Sequence, residues 1–200
     1  MKPTHKITID SSVIVRALST DHHFIEERRL AGKHDDNFLP SAARKAITMA
    51  CEAKPIWVLH REQITELREV IEGLLSYSQA VANGLLTPDP DKTLLDAAAM
   101  LNAVELLDYL NILDSELCTT NRPDVIYGTL THTDSQPAIQ LAQLISAEIK
   151  LSKTSKSIPS QTEFRDCFFY SFALYQARQA PVTSLMHNDK HFHPIHQCVT

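Results

Sequence analysis

Short apolar runs recur along the chain and predict the strands of a sheet. Residues 7–15 read ITIDSSVIV, residues 56–59 read IWVL and residues 182–186 read VTSLM. Short apolar runs bounded by polar residues or proline are typical of strands that are covered on both faces, as in a parallel sheet. Residues 125–130 (VIYGTL) indicate a further short strand.

Helical patterns lie between these runs. We expect helices at about 24–31, 41–53, 60–75, 94–117, 137–151 and 162–179, and one interpretation of the first segment is that Asp10 or Ser11 ends the strand and caps a further helix to about residue 19. In the helix at 60–75 the apolar residues fall on one face, at spacings of three and four: Ile64, Leu67, Val70, Ile71 and Leu74. The alternation of strands and helices predicts an α/β fold in which a parallel sheet is flanked by helices.

The middle of the chain, residues 77–150, is predicted to be mostly helical. We expect residues 1–200 to form a single domain that carries this segment as an extra helical insertion or extension. Apolar residues at helical spacing form a stripe there: Leu94, Leu95, Ala98, Leu101, Val104 and Leu107. We expect this stripe to pack in the core, and a binding surface for a partner is the alternative.

Composition limits the class of protein. The chain has 200 residues, 44% of them hydrophobic, which is enough for one well-packed core. Its first residues lack a signal peptide and no apolar run reaches the roughly 18 residues that span a bilayer, so we expect a cytoplasmic protein without a membrane partner. The four cysteines are scattered and are expected to be reduced thiols. The net charge of -5 argues against a general nucleic-acid coat but fits carboxylates gathered at a cation site.

Acidic residues stand where the predicted strands end. Asp10 follows the apolar residues 7–9, and Asp189 follows the strand at 182–186. Asp166 lies in the first turn of the helix at 162–179, and Glu66 lies in the helix that leaves the strand at 56–59. Ligands collect at the carboxyl edge of open α/β sheets, so we expect these acids to face one site. A helix cap is the other interpretation of Asp10, and the two are compatible.

Four segments together resemble a known family. The segments IDSSVI, VLHREQITELREVI, FRDCFFYSFA and APVTSLMHNDKHF resemble, in that order, the four acidic motifs of the PIN-domain nucleases, which include the toxin ribonucleases of bacterial toxin–antitoxin pairs. The resemblance implies a PIN-like fold and metal-binding catalytic acids at Asp10, Glu66, Asp166 and Asp189. It also implies polar contacts from Ser11 and Asn188, and possible partners in a cognate antitoxin protein and a homodimer.

The chain departs from the family pattern at three points. His187 stands where the family more often has Ser or Thr, and the interval between Glu66 and Asp166 is about twice that expected for a minimal member. Glu62 would replace Glu66 as the second acid if the helix began later than residue 60.

The residue types predict the chemistry. Four carboxylates in one small volume repel each other unless a divalent cation lies among them, and hard oxygen ligands select Mg²⁺ or Mn²⁺. Such an ion lowers the pKa of a bound water and stabilises charge during hydrolysis of a phosphodiester bond, here expected in RNA. The motif G-x-S-x-G does not occur in the sequence, and no Ser or Cys has a recognisable His partner as a nucleophile.

Two other clusters have alternative interpretations. A basic run, Lys150, Lys153, Lys156 and Arg165, predicts either a solvated loop or contacts to the phosphates of the substrate, for which Lys156 and Arg165 are the candidates. Four histidines, His187, His191, His193 and His196, could form a Zn²⁺ or Ni²⁺ site, but Pro194 disrupts the helical spacing that would align them. The alternative to an enzyme is a non-catalytic PIN-like module that binds RNA or a protein partner.

Overall fold

Four parallel strands form one sheet in a computed structural model of the chain. The structure describes residues 5–32, 38–89, 92–119, 124–128 and 183–187, with isolated helical positions at 140 and 143–144. The strands are β1 (Lys6–Ile9), β2 (Ile56–His60), β3 (Val125–Gly128) and β4 (Thr183–Met186). They are arranged in the order β3-β2-β1-β4, and every neighbouring pair is parallel. The predicted α/β class and the predicted parallel sheet are confirmed.

The strand order reverses direction at β1. The chain adds β2 and then β3 on one side of β1, and it later returns to place β4 on the other side. In the register, Lys6 pairs with Thr183 and Ile9 pairs with Met186. The carboxyl ends of β1 and β4 therefore lie side by side at the point of reversal, which in open parallel sheets is where ligands bind.

Five helices are described. They are α1 (Ser11–Leu18), α2 (Asp21–Leu30), α3 (Pro40–Glu52), α4 (Arg61–Ala82) and α5 (Ala97–Thr119). Their starts and stops follow local chemistry: Thr20 caps α2 by accepting a hydrogen bond from the His23 N–H at 3.2 Å, and Gly32 follows α2 with a φ of 65° that suits glycine. The predicted helices at 11–19, 24–31, 41–53, 60–75 and 94–117 are confirmed, and α4 continues to Ala82. The predicted helices at 137–151 and 162–179 lie outside the described residues, apart from the isolated positions.

The described residues separate into two compact units. The strand unit contains residues 5–10, 55–63, 124–128 and 183–187, and the helix unit contains residues 11–32, 38–54, 64–89 and 92–119. The strand unit holds the sheet, with Val58 fully buried and Ile7 6% exposed. The helix unit has a core of its own, which includes Val13, Ile71 and Ala99. The organisation of residues 1–200 as a single domain stays a prediction.

The predicted packing of the apolar stripe in the core was wrong for Ala98, Leu101 and Val104, which are exposed, and was confirmed for Leu95. The side of α5 that packs in the core carries Ala99, Ala103 and Leu110, and Leu95 just before α5 is buried with them. Leu101 of the predicted stripe is 61% exposed and Val104 is 44% exposed. Apolar residues occur on most sides of α5, so periodicity alone does not select the buried face. The buried side combines leucines with Ala99 and Ala103, and small side chains of this kind let neighbouring helices approach closely.

None of the described helices is both long enough and apolar enough to cross a membrane.

Candidate functional site

Asp10 lies at the carboxyl end of β1, where the strand order reverses. It directly follows Ile9, and its side chain is largely removed from solvent, with the residue 6% exposed. Its backbone N–H donates a hydrogen bond to the carbonyl oxygen of Met186 at 2.8 Å. This bond extends the pairing of β1 with β4 by one residue. A buried acid is therefore held by its own backbone against the end of β4.

The beginning of α4 forms a reciprocal cap. His60, the last residue of β2, is fully buried and accepts a hydrogen bond at Nδ1 from the Glu62 N–H at 3.2 Å. Gln63 reaches back, and its Oε1 accepts a hydrogen bond from the His60 N–H at 3.0 Å. This arrangement is a capping box in which His takes the place of Ser or Thr. Because Nδ1 acts as an acceptor, the neutral imidazole carries its proton on Nε2.

The same glutamine connects the cap of α4 to β1. Gln63 Nε2 donates to Thr8 Oγ1 at 3.4 Å and to the carbonyl oxygen of Ile9 at 3.5 Å. These bonds are long and individually weak, but both end on the two residues that precede Asp10. One amide side chain thus fixes the end of β2 relative to the end of β1.

The carboxyl edge of the sheet concentrates buried polar side chains. Of seven polar or charged residues that are buried among those described, four lie here: Thr8, Asp10, His60 and Gln63. Burying a polar group costs free energy unless it is hydrogen-bonded, so a concentration of this kind needs a compensating network or a function. The bonds of Gln63 supply part of that network. We define these four residues as the polar edge.

Sequence reasoning found Asp10 but missed the other three members of the polar edge. A readable signal existed for two of them, since Gln63 stands three residues after His60 at the junction of an apolar run and a helix, which is the spacing of a capping box. Histidine is not a usual residue for the first position of that motif. Thr8 alternates with apolar neighbours in β1 and gave no separate signal.

Two further predicted residues lie in the helix unit. Ser11 is the first residue of α1 and is half-buried, and Glu66 is half-buried in α4. α4 begins at Arg61, one residue later than expected, and the choice between Glu62 and Glu66 stays open. The assignment of Glu66 as the second acid stays a prediction.

The remaining predicted site residues lie outside the described part of the chain: Lys156, Arg165, Asp166, Asn188 and Asp189. The convergence of Asp10, Asp166 and Asp189 therefore stays a prediction. Of the four histidines, His187 is described; it follows β4 directly and is half-buried. Asp189 is the second residue after His187 in the chain.

Within the described ranges, His, Cys, Asp and Glu side chains do not form a group of three or more that could hold a metal ion. Asp10 and Glu66 are the two members of the predicted acidic set that these ranges contain. Cys51 and Cys118 are exposed free cysteines, and Cys167 and Cys198 lie outside the described residues.

A second charged region, in the helix unit, serves packing. A cavity of about 230 Å³ is lined by Arg16, Phe24, Glu27 and Arg28 among others, and the Arg16 guanidinium lies 4.1 Å from the centroid of the Phe24 ring. Glu27 Oε1 accepts a hydrogen bond from the Leu94 N–H at 3.1 Å. Burial raises the pKa of the Glu27 carboxyl, and this bond and nearby cationic side chains offset the shift in part. These groups join α2 to the segment before α5.

The chain was compared with known proteins in three ways. No protein-family model matches it, and neither curated proteins nor solved structures give a significant match. The interpretation of the site therefore depends on the geometry described above and on the sequence motifs.

Proposed function

We propose that the protein is a PIN-type nuclease that depends on a divalent metal ion and hydrolyses phosphodiester bonds in RNA. One observation carries the proposal: Asp10 is a buried acid whose backbone is bonded to Met186 at the reversal of the strand order. Burying an acid costs free energy unless it is paired, hydrogen-bonded or bound to a metal, and a metal ligand at this edge would offset that cost; a cap of α1, which begins at Ser11, is the structural alternative. The strand order β3-β2-β1-β4 with all pairs parallel is compatible with a PIN-like fold.

The proposed metal ligands are Asp10, Glu66, Asp166 and Asp189. All are carboxylates, and this donor set fits Mg²⁺ or Mn²⁺ better than softer transition metals. When bound, such an ion would lower the pKa of a coordinated water and stabilise negative charge on the phosphate oxygens. The direction of the chain supports the fourth ligand, since β4 ends at Met186, next to Asp10, and Asp189 follows three residues later.

The other residues of the proposed site have positioning and binding roles. Gln63 and Thr8 hold the end of β1, so they fix the backbone from which the Asp10 carboxylate projects. Ser11 and Asn188 would contact the substrate beside the acids, and Lys156 and Arg165 would contact phosphates of the RNA backbone. The proposal includes a cytoplasmic location, a cognate antitoxin protein as an inhibitor and assembly as a homodimer.

The test measures the Tm and the cleavage of RNA with and without the metal ion. Millimolar Mg²⁺ or Mn²⁺ should raise the Tm of the wild-type protein, because an ion that binds only the folded state stabilises it, and the same ions should be required for cleavage of single-stranded RNA. If neither the thermal shift nor the cleavage depends on metal, the nuclease proposal fails. A non-catalytic PIN-like module that binds RNA or a protein partner would then take its place.

A further inference from the structure

The cavity in the helix unit is lined by more positive than negative side chains. Its volume is about 230 Å³, and residues of α1, of α2 and of the segment before α5 form its walls. Four charged residues line it: Arg16, Glu27, Arg28 and Lys92. Three residues with hydroxyl side chains line it as well: Ser12, Ser19 and Thr93. We define the space between these seven residues as the α2 cavity.

Two guanidinium groups lie against one aromatic ring of the α2 cavity. The Cζ atom of Arg16 is 4.1 Å from the centroid of the Phe24 ring, and that of Arg28 is 5.9 Å from it. The two Cζ atoms are therefore separated by no more than the sum of these distances, about 10 Å. Like charges at this separation repel each other, and partial burial makes the repulsion stronger than in water. An anion bound in the cavity would offset the repulsion.

Packing contacts hold two of the charged side chains in place. Arg16 Nη1 donates a hydrogen bond to the carbonyl oxygen of Phe38 at 3.0 Å. Glu27 Oε1 accepts its hydrogen bond from the Leu94 N–H on the opposite wall. These bonds order both side chains before a ligand arrives, which reduces the entropic cost of binding.

The charge and the volume of the α2 cavity both restrict the ligand. Three cationic side chains and one carboxylate leave two positive charges among the described lining residues. A phosphate monoester carries about -1.5 to -2 charges near pH 7, and guanidinium groups bind phosphate oxygens in bidentate geometry. Pockets for drug-sized ligands begin at about 300 Å³. The smaller cavity therefore fits a phosphate group that carries a short organic part.

We propose that the α2 cavity binds a small phosphate monoester, whose phosphate oxygens accept hydrogen bonds from Arg16, Arg28 and Lys92. The hydroxyl side chains on the walls would contact the organic part. This inference is independent of the nuclease proposal, because the cavity includes none of the proposed metal or substrate ligands.

The experiment uses glycerol 3-phosphate as the probe, with the full chain in EDTA and at constant ionic strength. EDTA removes divalent ions, so a phosphate bound through the proposed metal site does not contribute. Glycerol 3-phosphate should raise the Tm progressively with its concentration, because a ligand that binds only the folded state stabilises it. Glycerol should leave the Tm unchanged. Succinate, a dianion whose charges lie at opposite ends of the molecule, should raise the Tm less.

Neighbouring arginines of α2 provide a matched pair of variants. Arg28→Gln should raise the Kd for glycerol 3-phosphate at least about tenfold in calorimetric titration, the usual effect of losing a charge-assisted hydrogen bond. Arg29→Gln is the control, because Arg29 is exposed and pairs with Glu26 outside the cavity. Both variants remove one positive charge, so a difference between them locates the binding site rather than a general effect of net charge.

A second pair of variants avoids the packed parts of the cavity. Lys92 is exposed, so Lys92→Gln should leave the Tm of the free protein nearly unchanged and should still raise the Kd at least about tenfold. Lys45→Gln, at an exposed position of α3, is the control and should leave the Kd unchanged.

Removing the acid of the cavity should have the opposite effect. Glu27→Gln keeps an oxygen that accepts from the Leu94 N–H but removes the negative charge, so it should lower the Kd several-fold. Glu26→Gln, on the same helix but outside the cavity, should leave the Kd unchanged. A cavity that serves packing alone would not bind more tightly after Glu27→Gln.

Three results would overturn the proposal. The first is a Tm that does not depend on glycerol 3-phosphate. The second is an equal loss of affinity in Arg28→Gln and Arg29→Gln, which would make net charge the explanation. The third is equally tight binding of succinate, which would contradict the assignment of a phosphate group as the ligand.

Discussion

Side-chain hydrogen bonds cap the first turns of both α2 and α4, but the cap of α2 is exposed and the cap of α4 is buried. At α2, an exposed threonine, Thr20, accepts a hydrogen bond from the His23 N–H. At α4, fully buried His60 accepts a hydrogen bond from the Glu62 N–H, and Gln63, which is 9% exposed, accepts one from the His60 N–H. Gln63 also donates a hydrogen bond to Thr8 of β1. The cap of α2 also reaches a distant residue, since Thr20 Oγ1 donates to Asp96 Oδ2 at 3.4 Å, but both side chains belong to an exposed contact. The cap of α4 buries two polar side chains next to Asp10, which is more than a helix start requires and indicates a function at that edge.

The largest expected effect concerns Asp10. Asp10→Asn should lower metal-dependent RNA cleavage at least about 100-fold and abolish the metal-induced rise in Tm, because one oxygen ligand and one negative charge are lost. Without metal, the variant should be as stable as the wild type or more stable, since repulsion between carboxylates is relieved. Thermal melts with and without Mn²⁺ and a cleavage assay measure both effects.

Asp108→Asn, at an exposed position of α5, is the matched control and should alter neither quantity. If Asp10 acted only as a cap, Asp10→Asn would cost at most about 1 kcal/mol at any metal concentration. That result would mean that Asp10, next to the buried cap of α4, has no role beyond stability.

The second prediction breaks the cap of α4. Gln63→Leu removes the acceptor of the buried His60 N–H and should cost about 2 kcal/mol in the free energy of unfolding, since an unsatisfied buried donor is expensive. Gln63→Glu keeps an oxygen for that N–H, but it loses the donor to Thr8 and Ile9 and buries a carboxylate, so it should cost at least as much at neutral pH. Urea denaturation measures both values. The control is Gln79→Leu, at an exposed position of the same helix, which should change stability by no more than about 0.5 kcal/mol.

Measuring kcat and KM distinguishes a positioning role of Gln63 from a role in stability alone. At a temperature where Gln63→Glu is fully folded, its kcat should be reduced while its KM for RNA stays close to that of the wild type, because the substrate contacts are elsewhere. An unchanged kcat would show that the bonds of Gln63 stabilise the fold without positioning Asp10.

The third prediction removes the exposed cap. Thr20→Ala should cost about 1 kcal/mol, the usual effect of losing a threonine cap, and should leave RNA cleavage unchanged at temperatures where the protein is folded. Thr48→Ala, inside α3, is the control; alanine is the better helix former there, so this change should be neutral or slightly stabilising. A loss of activity in Thr20→Ala would mean that the cap of α2, like the cap of α4, affects the proposed site.

The smallest effects concern pH and two acids of the helix unit. Burial raises the pKa of Glu27, so the folded state binds a proton that the unfolded state has already released in the pH range just above the ordinary pKa of a glutamate. Stability should therefore decrease as the pH rises through that range. The pKa of Asp21 is lowered by its hydrogen bonds with Ser41, so its contribution is present above the ordinary pKa of an aspartate and is lost as the pH falls through the lowered value.

Paired variants measure these opposite signs. Denaturation of Glu27→Gln between acidic and neutral pH should show less loss of stability on raising the pH than the wild type shows. Asp21→Asn should show less loss on lowering the pH. Equal pH profiles for both variants would contradict the assigned causes.

The features that were predicted depend on local sequence, whereas those that were missed depend on packing and on contacts between distant parts of the chain. The strands at 56–60 and 183–186 follow from local composition, because each is a short apolar run that proline or polar residues delimit. Asp10 could be placed at a strand end for the same reason. The pairing of Lys6 with Thr183 depends on contacts between distant parts of the chain, which no local pattern encodes. The buried face of α5 was not predictable from periodicity, because apolar residues occur on nearly all sides of that helix.

The bond between the Asp10 N–H and the Met186 carbonyl also has a consequence during synthesis. A ribosome makes Asp10 early, but the strand that completes its edge of the sheet leaves the exit tunnel only after residue 186 has been added. Pairing of such distant segments is slow, because the chain between them must first close into a loop. A nascent chain would therefore lack the completed edge until translation of β4. This edge of the sheet, and the proposed site with it, is therefore assembled late relative to the synthesis of Asp10.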